Sequence, residues 1–293
     1  MNLAKEAWWE AKIISDPDLE LKSLISICSS YVARDAFQEI YKWATLLSER
    51  GKELKRNSAV GRANLFHYFI CNHYGKHKEA KNNLHKALEC FKEDDNINGK
   101  TTCYISLGNI KFHQKNYDMA HQYYQSALKL LSEENNELDF TLRQNIASVY
   151  IMQQEYLKAW DVYQRLLDRI PQHEYGSRAL ILFNLGFLCR KTTETAAAIQ
   201  YFDEAITLTQ QSPGEDVHVK ANCMKAETLI EMGTPDEAYK ILKAVECNAG
   251  KIQNSYLLEE LFNSYLMYYE AKNDLTGLAK YQAKLAEVIS KRS

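Results

Sequence analysis

The chain has 293 residues, with 36 basic and 38 acidic side chains and a net charge of −2. Its 11 glycines and 4 prolines are less than half the usual share, which excludes collagen-like and turn-rich all-β architectures and favours long helices on short loops. The balanced charge gives no overall field for nucleic acid or an anionic membrane, and 46% apolar residues exclude disorder.

Residues 1–15 predict a short capping helix. Leu3, Ala7, Trp8, Ala11 and Ile14 form one apolar stripe, and Lys5, Glu6, Glu10 and Lys12 break the run that a secretory leader needs. Asp16-Pro17 then reads as an N-cap followed by proline at the first helical position. No stretch approaches 18 consecutive apolar residues, so no membrane span is expected.

The rest of the chain repeats. Gly108, Ala147 and Gly186 recur at a spacing of 39, as do Ala120, Ala159 and Ala198, then Tyr124, Tyr163 and Phe202, then Ala127, Leu166 and Ala205. Gly75, Ala80, Leu84 and Ala87 extend the pattern backward, and Gly233, Ala238, Leu242 and Val245 extend it forward. Ile25, Phe37, Tyr41 and Ala44 fit a degenerate first unit, and Leu266, Leu278 and Leu285 a last one. Seven helix pairs are predicted, near 18–58, 61–97, 101–137, 140–172, 179–214, 219–250 and 259–293, forming one solenoid over 1–293. Leu278, Tyr281, Leu285 and Val288 make the final helix amphipathic, and no stop signal follows Gly277. That helix is expected to end as a frayed cap or to run on into a further domain, and it offers a surface for self-association.

Small residues where paired helices cross, with large apolar ones beside them, resemble the tetratricopeptide repeat; the stretch from Tyr104 to Leu128 is close to that family's consensus. The resemblance implies an all-α fold, a right-handed α-solenoid of about seven helix pairs with a short N-terminal capping helix. The period of 39–40 exceeds the family's usual ~34, so helices or connections run about one turn longer.

Chemistry is sparse. Gly99-Lys100-Thr101-Thr102 has the tail of a phosphate-binding loop, but Asp94 stands where that loop needs glycine, so an inter-repeat turn at Gly99 is expected. His67, His73, His77, His85 and Cys71 crowd one unit, yet the repeat register scatters them and no metal is expected. That register makes Cys28, Cys71 and Cys189 small core hydrophobes, and 7 scattered cysteines without CxxC suit a reducing cytoplasm. Arg50, Lys52, Lys55 and Arg56 suit a helix C-terminus. No cofactor, nucleic acid or catalytic constellation is implied.

In a tetratricopeptide solenoid the first helix of each pair lines the concave side. There the register places Asn109, Asn145 and Asn184, whose carboxamides can grip both N–H and C=O of an extended peptide. Gln144 and Met152 join them, Phe66, Phe69, Phe183 and Phe187 would receive apolar side chains, and Arg190 with Lys191 a carboxylate. The carboxylate clamp of co-chaperones is not matched, because Ile105, Leu180 and Asn184 occupy its basic positions.

The resemblance therefore implies a non-catalytic, cytoplasmic peptide- or protein-binding module, similar to the repeat region of peptide-pheromone receptors of Gram-positive bacteria. The alternatives are the N-terminal sensor region of a signalling enzyme, such as a diguanylate cyclase or kinase, and a response-regulator phosphatase acting through a residue such as Gln144 or Glu227.

Overall fold

The computed structural model describes residues 2–131, 136–211, 215–247 and 254–292. Fifteen α-helices and no strand occur among the described residues, in two compact units, 1–153 and 154–293. Unit 1 holds α1 (Asn2–Ile13), α2 (Pro17–Val32), α3 (Phe37–Glu53), α4 (Asn57–His73), α5 (His77–Glu93), α6 (Ile97–His113), α7 (Tyr117–Leu128) and α8 (Asn136–Met152). Unit 2 holds α9 (Tyr156–Arg169), α10 (Tyr175–Lys191), α11 (Thr195–Thr209), α12 (Glu215–Glu231), α13 (Pro235–Cys247), α14 (Ser255–Ala271) and α15 (Leu275–Arg292).

Within each unit, helices pack chiefly on their neighbours in sequence, as in a solenoid. The first helices begin at residues 57, 97, 136, 175, 215 and 255, each about one turn ahead of the start read from the repeat. The long period is thus an added turn at the N-terminus of these six first helices, whereas α2 begins at Pro17, where the sequence places it. The expected turn at Gly99 is overturned for the same reason. Gly99 lies inside α6, its N–H donating to Oδ1 of the N-cap Asn96 at 2.8 Å. A Cβ at Gly99 would stand 2.3 Å from the Phe91 ring, so the glycine lets α5 and α6 approach.

The recurring small residues mark tight crossings. A Cβ at Gly108 would lie 2.3 Å from Tyr124, and one at Gly186 would lie 2.7 Å from Phe202 and 3.2 Å from the Ala198 carbonyl oxygen. Ala120, Ala159 and Ala198 are fully buried, as are the rings of Phe91 and Phe202. At the start of the chain Asp16 caps α2, accepting from the N–H groups of Asp18 and Leu19, with Pro17 as the first helical residue. The basic run at the C-terminal end of α3 is tied down: Arg50 bridges Glu20 at 2.8 Å and also pairs with Glu53, and Arg56 reaches Asp18 at 3.3 Å.

Most helix ends share one turn. A residue in the left-handed region follows the helix, and the next N–H reaches back five residues, as in Asn116 N–H to Lys111 C=O at 2.9 Å and Glu194 to Cys189 at 2.8 Å. Glycine fills the left-handed place at Gly75 and Gly233, while Asp35, Lys55, Asp95, Lys115, Gln154, Thr193 and Asn273 fill it elsewhere.

Candidate peptide-binding face

In unit 1, α6 and α8 carry the asparagines singled out by the repeat. The Tyr124 hydroxyl, from α7, donates to Oδ1 of Asn109 at 2.6 Å, and Nδ2 of Asn145 donates to the same oxygen at 3.3 Å. Two donors fill that oxygen, so the Asn109 amide protons and the Asn145 carbonyl oxygen stay unspent among the described residues. Burial raises the pKa of Tyr124, which keeps its hydroxyl a donor. Beside Asn145, Nε2 of Gln144 is buried without an acceptor. Such an orphan amide costs stability unless something later pairs with it. Met152, at the end of α8, is half exposed.

The expected apolar pockets are different. Phe66 is buried in the core formed by α2, α3 and α4, and Phe69 packs on that core with its ring 5.9 Å from Phe37. Phe66 fills the space between neighbouring helices, and Phe69 keeps only part of its surface exposed. In unit 2, Phe183 packs toward Phe202 with ring centroids 6.0 Å apart, and Phe187 lies under the Lys191 ammonium at 5.4 Å. Asn184 is half buried and has no hydrogen-bond partner among the described residues.

Arg190 is not free to receive a ligand's carboxylate. Its guanidinium forks to Glu227 and Glu231 of α12, both at 2.7 Å, and the Ser264 hydroxyl of α14 donates to the other Glu227 oxygen at 2.8 Å. Arg190 and Glu227 are 37 residues apart, close to one repeat, which is the sequence signal that would have paired them. Glu260, on α14, has a raised pKa: burial is the main cause, Glu227, Asp216 and Glu259 add to it, and Lys220 opposes them. Tyr124, Glu227, Glu231 and Ser264 are thus the residues that give these faces their character. Residue-type reasoning passed over the partnerships of all four.

The histidines of α4 and α5 do other work. His73 stacks on Phe37 at 3.8 Å, His67 meets Tyr41 edge-on at 5.2 Å, and His85 bonds the Lys81 carbonyl at 2.8 Å. Among the described residues no group of three or more His, Cys, Asp or Glu side chains converges on a point. Among the same residues no helix is long and apolar enough to cross a membrane. All seven cysteines are free thiols, and burial pushes Cys28 up to about 12 and Cys189 to about 11. Cys71 departs from its expected core role: it is only partly buried and lines a cleft.

Two family models, both described as tetratricopeptide repeat, match residues 62–133 and 179–212. These two stretches carry tetratricopeptide repeats. No curated protein matches it in sequence. Among solved structures, the apo form of RapI is 14% identical with a TM-score of 0.71, covering 93% of this chain and 98% of its own. The apo form of the quorum sensor NprR from B. thuringiensis is 16% identical, TM-score 0.69, with 98% and 86% covered. A signal-transduction ATPase with a tetratricopeptide repeat sensor, from Pyrococcus horikoshii, is 14% identical with TM-score 0.73, covering 99% of this chain and 47% of its own. At these identities the likeness is one of fold. It is the fold of a tetratricopeptide solenoid, all-α and built from helix pairs. The tetratricopeptide register explains both faces: Asn109, Asn145 and Arg190 sit on first helices, while Tyr124 reaches Asn109 from a second helix.

Proposed function

We propose that this chain is a non-catalytic module that holds an extended peptide or protein segment against the first helices of unit 1. It serves there as the regulatory or sensory part of a bacterial, cytoplasmic signalling system. The carrying observation is the pair Asn109 and Asn145, with amide protons and a carbonyl oxygen unspent, beside the buried and unpaired Nε2 of Gln144. Such a set complements the alternating N–H and C=O of a peptide backbone without reading its sequence closely. The signalling role draws support from the shared fold with a protein described as a quorum sensor.

A panel of short synthetic peptides, titrated against wild type and Asn145→Ala, tests the site. The proposal expects at least tenfold weaker binding by the variant, about 1.4 kcal/mol. Equal affinity for every bound peptide would remove these amides from the reading.

A second reading makes the chain the sensor region of a longer signalling enzyme, such as a diguanylate cyclase or kinase. The Pyrococcus protein favours it, since a repeat region of this size is under half of that ATPase. An open frame of a further domain's length after Ser293 would support this reading, and a stop codon there would end it. Self-association through α15, which leaves Leu275 and Ile289 exposed, belongs to the same proposal, and sedimentation of the chain as a monomer across a concentration series would exclude it.

A further inference from the structure

A cleft of about 570 Å³ opens between α3, α4 and α5, within the size range of small-molecule sites. It is distinct from the amide cluster. On α4, the lining residues His67 and Cys71 lie nearly opposite the first-helix positions Phe69 and Asn72, given about 100° of turn per residue.

Its lining is aromatic and pre-positioned. Tyr41 and Tyr74 leave 59% and 58% of their surface exposed, whereas Tyr124 and Tyr265 elsewhere are buried. Phe37 is clamped by His73 at 3.8 Å and by the edge of Tyr74 at 5.6 Å, and Tyr41 is braced by His67. Rings held this way lose little freedom when a flat group stacks on them. Burial lowers the pKa of His67, so the floor beside Ile70 is neutral near pH 7.

The same cleft holds one charge of each sign. Glu79 and Lys76 both line it, and among the described residues neither is ion-paired. Both act on Cys71: the Glu79 carboxylate lies 3.9 Å from its sulfur, and Lys76 is near enough to oppose the upward push that burial and Glu79 exert on that thiol. An unpaired carboxylate and an unpaired ammonium about one thiol, next to stacked rings, complement a ligand with the reverse charges and a flat apolar body.

We propose that this cleft binds a free aromatic α-amino acid, its ammonium on Glu79, its carboxylate on Lys76 and its ring against Tyr41, Phe37 and Tyr74. Binding there ties three helices together and gives the module a small-molecule input separate from its peptide-binding face.

The test uses the full chain and four probes: L-phenylalanine, L-tryptophan, phenylpropionate and phenethylamine, titrated by calorimetry and by thermal shift. The amino acids should bind saturably, and each single-charge analogue at least tenfold more weakly. Glu79→Gln should weaken L-phenylalanine at least tenfold while leaving phenylpropionate unchanged, and Lys76→Gln should weaken L-phenylalanine at least tenfold while leaving phenethylamine unchanged. Circular dichroism of these surface variants confirms their folding. No saturation at millimolar amino acid, or equal affinity for the single-charge analogues, overturns the proposal. Asn145→Ala should leave this binding intact, so its result and that of the peptide titration stand or fall separately.

Discussion

The first-helix faces of the two units solve the same packing problem with opposite chemistry. In unit 1, α6 and α8 present neutral amides, and one buried donor on Gln144 has no partner. In unit 2, α10, α12 and α14 present Arg190, Glu227, Glu231 and Ser264, which satisfy one another. A satisfied charge network specifies how helices pack, whereas unspent amides are available to something outside the chain. The repeat supplies both faces, and the side chains decide that one is internal fastening and the other is the face proposed for a peptide.

The largest expected effect breaks the fastening. Arg190→Leu leaves Glu227, only 17% exposed, without its cation, and should cost about 2–3 kcal/mol in urea denaturation, less than a fully buried pair would. Peptide binding by unit 1 should be unchanged, and a coupled loss would show that the two faces are not independent. Next comes Ala198→Leu, which overpacks the crossing with Gly186 and should cost about 1–3 kcal/mol. Hydrogen exchange should rise around α10 and α11 while α2 and α3 are barely affected, because contacts are made between near neighbours. Unaltered melting of this variant would mean that the repeat register is wrong.

Smaller effects sharpen the contrast. Tyr124→Phe removes one donor from Asn109 and should cost about 1 kcal/mol, while freeing an acceptor on the proposed peptide face. Two carboxylates of unit 2 should shift the pH profile in opposite directions. Glu260 has a raised pKa, so the folded state holds its proton above the usual carboxylate range and stability falls as pH rises from about 4.5 through the folded value. Glu260→Gln should remove that fall and raise the melting temperature at pH 7. For Glu246 burial acts to raise the pKa, but hydrogen bonds from Lys284, Tyr281 and Tyr265 outweigh it and leave the pKa lowered. Its contribution is present above about 4.5 and is lost as pH falls through the folded value, so Glu246→Gln should be most damaging near neutrality and least at low pH.

The helix pairs were legible because a crossing tolerates only small side chains, and Gly108, Gly186, Ala120 and Ala198 announce themselves by period. The extra turn was legible only as surplus length, since Asn96 and its counterparts sit just where a loop was expected. The faces were half legible. Register placed Asn109 and Asn145 correctly on first helices, but it does not say whether a ring there looks outward or into the neighbouring helix. Phe66 looks inward because α2 and α3 come close enough to cover it, and Phe69 packs partly against the same core. Arg190 was misread because its partners lie a repeat away, a signal that appears only when first helices are compared across neighbouring repeats. The cleft was invisible for the opposite reason: Tyr41, Tyr74 and Glu79 lie on three elements, and only packing leaves room between them.

The left-handed turns between helices also bear on engineering. Four of them are filled by Lys55, Lys115, Gln154 and Thr193, side chains that resist positive φ far more than Asp, Asn or Gly. At each, glycine would relieve backbone strain at the cost of a looser unfolded chain, for a net gain of about 0.5–1 kcal/mol, greatest at the β-branched Thr193. The sites are widely spaced along the sequence, so gains at well-separated ones should sum. The array therefore holds a reserve of heat resistance that four surface substitutions can release without touching either face.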